Sequence, residues 1–286
     1  MDFRVKVKMP LPNEIDFIIR VESGKQQLVD MNYALDTMKG FSSTISAVTE
    51  GALSDSLKTR SSTADDIRTE LLEGVLGSYE QKFRLKINDP LKEHRLKKLS
   101  NSVLAEMITY YVNEVLHANQ PQMTIKAERT IKKLEPIENR IIKRISAWVE
   151  DMHTLSIRRN YVVKLYRLTP KKRYNMFEVN KVTYGNVFEL TEDVKSFVIN
   201  VVISRFNSFT GNGRFLCEGD NSTIPFSFSG AYSKVKESYK KNISKNLLAN
   251  TAVPDENRVS ISLEVKAKRN KSGEIIKYMI YSVDPQ

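Results

Sequence analysis

The stretch PDENRVSISLEVKAK, residues 254–268, contains the residue types with which metal-dependent nucleases bind a divalent cation. In such a site two carboxylates share one ion, and a lysine lies next to the second carboxylate. Asp255, Glu264 and Lys266 would be these three residues. The two carboxylates would have to come within about 5 Å of each other across the ion.

The spacing of these residues argues against that site. Apolar residues alternate with polar ones between Arg258 and Lys268, which predicts one extended strand with a buried face formed by Val259, Ile261, Leu263, Val265 and Ala267. At about 3.3 Å per residue, such a strand holds Asp255 more than ~20 Å from Glu264. Glu264 and Lys266 would then be neighbours on a solvent-facing sheet surface.

Other catalytic arrangements find no support in the residue spacing. The histidines His94, His117 and His153 are scattered, so they do not have the spacing of a zinc site. Cys217 lies in a strand pattern without a base next to it. The sequence therefore predicts no catalytic residue, no metal ion and no cofactor.

The positive charge of the chain is concentrated in one block. The formal net charge is +11, and residues 123–173 alone hold 14 Lys and Arg against 5 Asp and Glu. Clustered cations of this kind favour polyanions such as a nucleic-acid backbone, although most charge runs are simply solvated helix faces. The candidate binding residues of this block are Arg129, Lys133, Arg140 and Arg144, which form one stripe if the helix continues through Pro136, and then Lys171, Lys172 and Arg173.

Hydrophobic periodicity predicts a small sheet with a helix for the first part of the chain. Residues 3–9 and 14–22 alternate as strands, and two further strands are predicted at about 66–73 and 78–87. Between the strands at 14–22 and 66–73, apolar residues recur at three- and four-residue steps from Leu28 to Val48, which is the pattern of an amphipathic helix. Further helices are predicted at about 96–118 and 124–152, with a kink or a fresh start at Pro136, followed by a strand at 161–168.

The runs FIIRVESGKQQLVDMNYALDTMKGFSSTI and GVLGSYEQKFRLKI resemble a broad bacterial family of uncharacterised proteins. Members of that family have two strands, a helix with a small-Leu-x-x-x-x-x-Phe-Ser type motif and a Gly-Ser-aromatic strand. The resemblance covers about the first 90 residues and, more weakly, the C-terminal part. It implies a similar N-terminal fold, often followed by a small barrel, and a context in mobile or phage-defence gene neighbourhoods. It implies no mechanism and no site residue.

From about residue 176 the pattern changes to that of a β-barrel. Three strands, a helix at about 230–250 and a two-stranded hairpin follow one another, which is the order of an oligonucleotide-binding barrel. Barrels of this class stack nucleic-acid bases on exposed aromatic rings. Phe209 and Phe215, on either side of the turn GNG, are the candidate rings, with Arg205 and Arg214 near them in sequence. For both rings, burial in the barrel core is favoured over stacking on a base.

We therefore predict an α+β protein with two domains: an N-terminal α+β domain with a helical extension at 1–175 and a five-stranded barrel at 176–286. The first functional hypothesis is a non-catalytic protein that binds DNA or RNA, acting beside a catalytic protein partner in bacterial anti-phage defence. The second is a protein-interaction or homo-oligomeric scaffold, and the third is a metal-dependent nuclease. Because the chain opens on a strand pattern, lacks apolar runs of about 20 residues and contains one cysteine, we expect a cytoplasmic protein without a membrane partner.

Overall fold

A computed structural model describes residues 11, 13–22, 28–54, 66–75 and 79–284. The chain forms two compact units, the first made of residues 1–115 and 120–184 and the second of residues 116–119 and 185–286. The second unit begins after Tyr184, whereas the sequence predicts a boundary after residue 175. The difference arises because a strand at Arg173–Val179, not foreseen from the sequence, belongs to the first unit. The strand predicted at 3–9 lies outside the described residues.

The first unit is built on a five-stranded antiparallel sheet with the strand order β2-β3-β1-β4-β5. Its strands are β1 (Glu14–Glu22), β2 (Ile67–Val75), β3 (Glu80–Ile87), β4 (Val162–Leu168) and β5 (Arg173–Val179). Phe17, Ile18 and Ile19 of the central strand are all at most 2% exposed. Because successive residues of a strand face opposite sides, both faces of the sheet are covered at its centre.

Among the described residues of the first unit, the helices that accompany this sheet are α1 (Met31–Ser54), α2 (Pro90–Leu99), α3 (Asn101–Leu116), α4 (Ile125–Lys133), α5 (Glu135–Met152) and α6 (Thr154–Arg159). Residues 103–105 and 107–113 of α3 are all buried, so nearly every side of the helix is covered and α3 is a core helix. The sequence predicts one helix at 96–118, but the chain ends α2 at Ser100, whose φ of 82° is not helical.

The start of the first amphipathic helix differs from the expectation. The first amphipathic helix begins at Met31, after Asp30 accepts hydrogen bonds from the Asn32 and Tyr33 amides, so Leu28 precedes the helix. Leu28 and Met31 are 88% and 74% exposed and do not belong to the core.

The helix of the basic block does not continue through Pro136. Helix α4 ends before Leu134 and α5 starts afresh at Glu135, which confirms the predicted fresh start. Proline is compatible with this place because the first amides of a helix have no carbonyl to bond within it. The four cations of the predicted stripe are therefore divided between two helices, and a single continuous stripe is not formed.

The second unit contains a closed five-stranded barrel. Helix α7 (Lys181–Phe188) and the short strand β6 (Thr191–Glu192) precede it. The barrel elements follow in the predicted order: β7 (Phe197–Phe206), β8 (Gly213–Cys217), β9 (Ile224–Phe228), α8 (Glu237–Ala249), β10 (Ile261–Arg269) and β11 (Ile275–Val283). Antiparallel pairs β7–β8, β8–β9, β10–β11 and β7–β10 close with a parallel pair between β9 and β11.

Aromatic rings fill the inside of the barrel. Phe215 is 0% exposed and its ring stacks on Phe226 with centroids 5.4 Å apart, so the favoured interpretation of Phe215 as a core ring is confirmed and it is not an exposed stacking ring. The alternating face of β10 is buried as predicted at Ile261, Leu263, Val265 and Ala267. Val259 lies before the strand and is 61% exposed. Nowhere in the described ranges is a helix both long enough and apolar enough to cross a membrane.

Candidate nucleic-acid interface

Helix α4 turns its cations outward because its two buried residues anchor the opposite side. Thr124 caps the helix by accepting a hydrogen bond from the Ala127 amide at 3.3 Å. Ala127 and Ile131, one helical turn apart, are buried, and Arg129 and Lys133 are exposed. Since residues four apart lie on the same side of a helix, these two cations are neighbours.

Helix α5 separates its charges in the same way. Ile137, Ile141, Ile145 and Val149 form its buried stripe, and Arg140 and Lys143 are exposed. Arg144 is half-buried. The helix therefore presents two adjacent cations to solvent, one of which, Lys143, was not selected from the sequence.

Of the two acidic residues at the start of α5, Glu138 is buried and Glu135 is half-buried. Glu138 is 2% exposed and accepts a hydrogen bond from the Tyr110 hydroxyl at 3.2 Å. Burial raises the pKa of Glu135, and the nearby charge of Lys132 acts in the opposite direction. Glu128 and Glu150 are exposed carboxylates of the same two helices, but exposed lysines and arginines outnumber them, so the outward side of α4 and α5 has an excess of positive charge.

We call Arg129, Lys133, Arg140 and Lys143 the α4–α5 basic face. Within the part of the chain that the structure describes, none of these four side chains has an ion-pair or hydrogen-bond partner. Cations that already neutralise a carboxylate gain less from a phosphate, so unpaired cations are the stronger binding candidates.

The second basic cluster lies on the hairpin between β4 and β5. Thr169 closes its turn, because its amide donates to the Lys172 carbonyl at 3.0 Å and its hydroxyl accepts from the Lys172 amide at 3.1 Å. Lys171 and Lys172 are exposed. The Arg173 guanidinium instead donates to both carboxylate oxygens of buried Glu80, at 2.9 and 3.0 Å, so its charge is balanced within the fold.

Glu106 of α3 connects the two basic clusters. Its carboxylate accepts hydrogen bonds at 2.8 Å from both the amide and the hydroxyl of Thr124, where α4 begins. Burial lowers the pKa of Arg167 on β4, and the charges of Tyr174 and Glu106 oppose that change. The start of α4 and the β4–β5 hairpin thus lie near the same carboxylate.

The two barrel arginines predicted to bind nucleic acid serve the fold in different ways. Arg214 is 4% exposed, and its guanidinium donates to the hydroxyl and the carbonyl of Thr223 at 2.9 and 2.8 Å. Arg205 lies opposite Arg214 in the β7–β8 pair, where burial and then the charge of Arg214 lower its pKa to about 10. The Arg214 guanidinium is thus bonded to Thr223 and shielded from solvent on the face of β8 opposite to the core residue Phe215.

Phe209, in contrast, is 62% exposed at the tip of the β7–β8 loop. The loop is held by Asn207, which is 1% exposed and whose side-chain oxygen accepts from the amides of Phe209 and Thr210 at 2.9 and 3.2 Å. Gly211, with φ of 76°, takes a conformation that glycine adopts without strain. The contact of Phe209 with a base stays a prediction.

The residues of the nuclease-like stretch do not converge. Asp255 lies in a 3₁₀ turn before β10 and pairs with Arg258 at 2.7 Å, whereas Glu264 lies on β10 and accepts a hydrogen bond from Ser196 at 2.7 Å. Across the described ranges, no three His, Cys, Asp or Glu side chains are grouped so that they could hold a metal ion.

Comparison with known proteins finds no match at the level of family, sequence or structure. No family model, no curated protein and no solved structure matches this chain.

Proposed function

We propose that this protein is a non-catalytic nucleic-acid-binding protein that contacts the phosphate backbone through the α4–α5 basic face. The observation that carries the proposal is the charge separation on these two helices. Arg129, Lys133, Arg140 and Lys143 are outward and unpaired among the described residues, while Glu138 is buried.

The physical basis of the proposal is counterion release. Each phosphate that a lysine or arginine neutralises releases condensed cations from the nucleic acid, and this gain weakens steeply as salt is added. Cations of this kind contact the phosphate backbone and do not distinguish base sequences. Binding without sequence preference suits an accessory protein that acts beside a partner. A place in bacterial anti-phage defence is part of the proposal, but it rests only on the N-terminal sequence resemblance.

The test is a fluorescence-anisotropy titration with labelled single- and double-stranded DNA and RNA at about 50 and 200 mM salt. The variant Arg140→Glu/Lys143→Glu removes two cations from the basic face, and we expect at least tenfold weaker binding at the lower salt. The slope of log affinity against log salt should also fall by about two, one for each lost phosphate contact.

The matched control is Lys234→Glu/Lys245→Glu. Both lysines are exposed in the second unit, and the double reversal changes the net charge of the chain by the same amount. We expect its affinity to stay within about twofold of the native protein. Equal losses in the two variants would show that total charge, and not this face, drives binding. Absence of binding to every nucleic acid at low salt would refute the proposal and favour the protein-scaffold hypothesis.

A further inference from the structure

Tyr174 adds an aromatic ring to the basic β4–β5 hairpin. It lies directly opposite Arg167 in the β4–β5 register and is 38% exposed. The guanidinium carbon of Arg167 lies 4.8 Å from the ring centroid, and the Lys172 ammonium lies 4.5 Å from it. Cations at such distances are attracted by the π-face of the ring.

The two cations hold the ring in different ways. Arg167 is half-buried on a sheet strand, so we expect its guanidinium to stay beside the ring. Lys172 is exposed in the turn at the end of a flexible stem, so its ammonium can leave the ring for a phosphate and uncover a ring face. The turn itself is held by the hydrogen bonds between Thr169 and Lys172.

We propose that Tyr174, with Arg167 beside its ring, provides a stacking slot for an unpaired nucleobase on the ring face that Lys172 leaves, so that the preferred ligand is single-stranded nucleic acid. This inference rests on the proposed function and specifies its ligand class. Lys172 would contact the adjacent phosphate, and exposed Lys171, which has no partner in the described part of the chain, the next one. Arg173 keeps its ion pair with Glu80 and anchors the hairpin.

The preference for a single strand follows from whether the Tyr174 ring can reach the flat face of a base. In a duplex the bases are stacked on one another, and a protein reaches only their edges and the backbone. In a single strand a base can turn out and stack on an aromatic or guanidinium plane, and this contact tolerates any base. A stacking slot beside cations therefore selects strandedness without selecting sequence.

The test compares a labelled single strand of about 12 nucleotides with the blunt duplex of the same sequence, a length within the site sizes common for such proteins. Tyr174→Leu keeps an apolar side chain on β5 but removes the π-face, and we expect about tenfold weaker single-strand binding with duplex binding within twofold. Tyr174→Phe and Tyr174→Trp keep a ring and should bind the single strand as the native protein does. If circular dichroism shows that the leucine variant folds poorly, Tyr174→Thr takes its place, because threonine also removes the ring and suits a β-strand.

The failure of this inference is distinguishable from failure of the proposed function. Equal loss of single-strand and duplex binding in Tyr174→Leu would overturn the slot but keep the basic face. Tighter binding of the duplex by the native protein, or loss of single-strand binding in Tyr174→Phe, would overturn it as well. If the native protein binds neither ligand at low salt, both proposals fail.

Discussion

His153 is a fully buried titratable residue of the first unit. Its Nδ1 lies 2.7 Å from the Val149 carbonyl, to which only a protonated nitrogen can donate, and its Nε2 lies 2.8 Å from the Thr183 hydroxyl. A neutral ring protonated on Nδ1 satisfies both contacts when the Thr183 hydroxyl donates its one proton to Nε2 and not to the Asn180 carbonyl, which lies 2.9 Å away. Burial lowers the pKa of His153 to about 4, and the hydrogen bond with Val149 acts in the opposite direction. The ring is therefore held neutral in the folded protein.

This arrangement predicts a loss of stability in mild acid. The unfolded chain protonates His153 near pH 6.5 and the folded chain only near pH 4, so between these values the unfolded state binds more protons. The free energy of unfolding should fall by about 2 kcal/mol between about pH 7 and pH 5 on account of this residue. Urea unfolding at both pH values measures it. His153→Gln should lose this part of the pH dependence, whereas His94→Gln, at an exposed position on α2, should retain it. An identical pH dependence in His153→Gln and the native protein would contradict the assignment.

At the scale of elements, the crossing of α1 and α5 depends on Gly40. A Cβ atom at this position would lie 2.4 Å from the backbone nitrogen of Met152 and 2.9 Å from its Cα. Backbone atoms cannot move aside as a flexible side chain can, so Gly40→Ala must push the two helices apart. We expect a loss of about 3 kcal/mol in the free energy of unfolding, measured by urea denaturation.

The control for Gly40→Ala is Gly185→Ala in α7. There the nearest atom to an added Cβ is Glu189 Oε2 at 3.5 Å, an ordinary contact. Since alanine favours helix more than glycine, Gly185→Ala should leave stability unchanged or raise it by up to ~1 kcal/mol. Similar losses in both variants would mean that the close helix approach at Gly40 is not the cause.

The elements with strong periodicity were predictable from the sequence, and those without it were not. The strands and the helix of the barrel follow the predicted order because their alternation and their turns are regular. Strand β5 was missed because its first residues, Arg173 to Asn175, are all exposed and polar or aromatic, like a loop. The break at Ser100 was missed because apolar residues continue on both sides of it.

Part of the candidate site was predictable because its residues lie on helices with regular periodicity. Exposure of Arg129, Lys133 and Arg140 follows from helix periodicity alone. The pairing of Arg173 with Glu80 joins residues far apart in the chain, which no local pattern encodes. Tyr174 was missed because its position opposite Arg167 exists only once β5 is recognised as a strand.

At the scale of the whole molecule, the two compact units each have a natural reporter. Trp148, the one tryptophan of the chain, lies on α5 in the first unit, where Lys39 of α1 lies 5.2 Å from its ring. Cys217, the one cysteine, ends β8 in the second unit and packs against the barrel core. Burial raises the pKa of Cys217 to about 11, so we expect alkylation near neutral pH to be slow in the folded barrel and faster once the barrel opens.

Since each unit buries its own core, we expect the two to unfold in separate transitions. Gly213→Ala is the matched test for the barrel, because its Cβ would lie 2.3 Å from the Arg205 carbonyl oxygen and 2.4 Å from the Phe226 ring. In urea, Gly213→Ala should lower the midpoint of Cys217 alkylation by about 1 M and leave the Trp148 fluorescence midpoint unchanged. Gly40→Ala should lower the Trp148 fluorescence midpoint and leave the midpoint of Cys217 alkylation unchanged. If either substitution moves both midpoints together, the chain unfolds as one cooperative body. A destabilising change in either unit then lowers the fraction of folded protein in both.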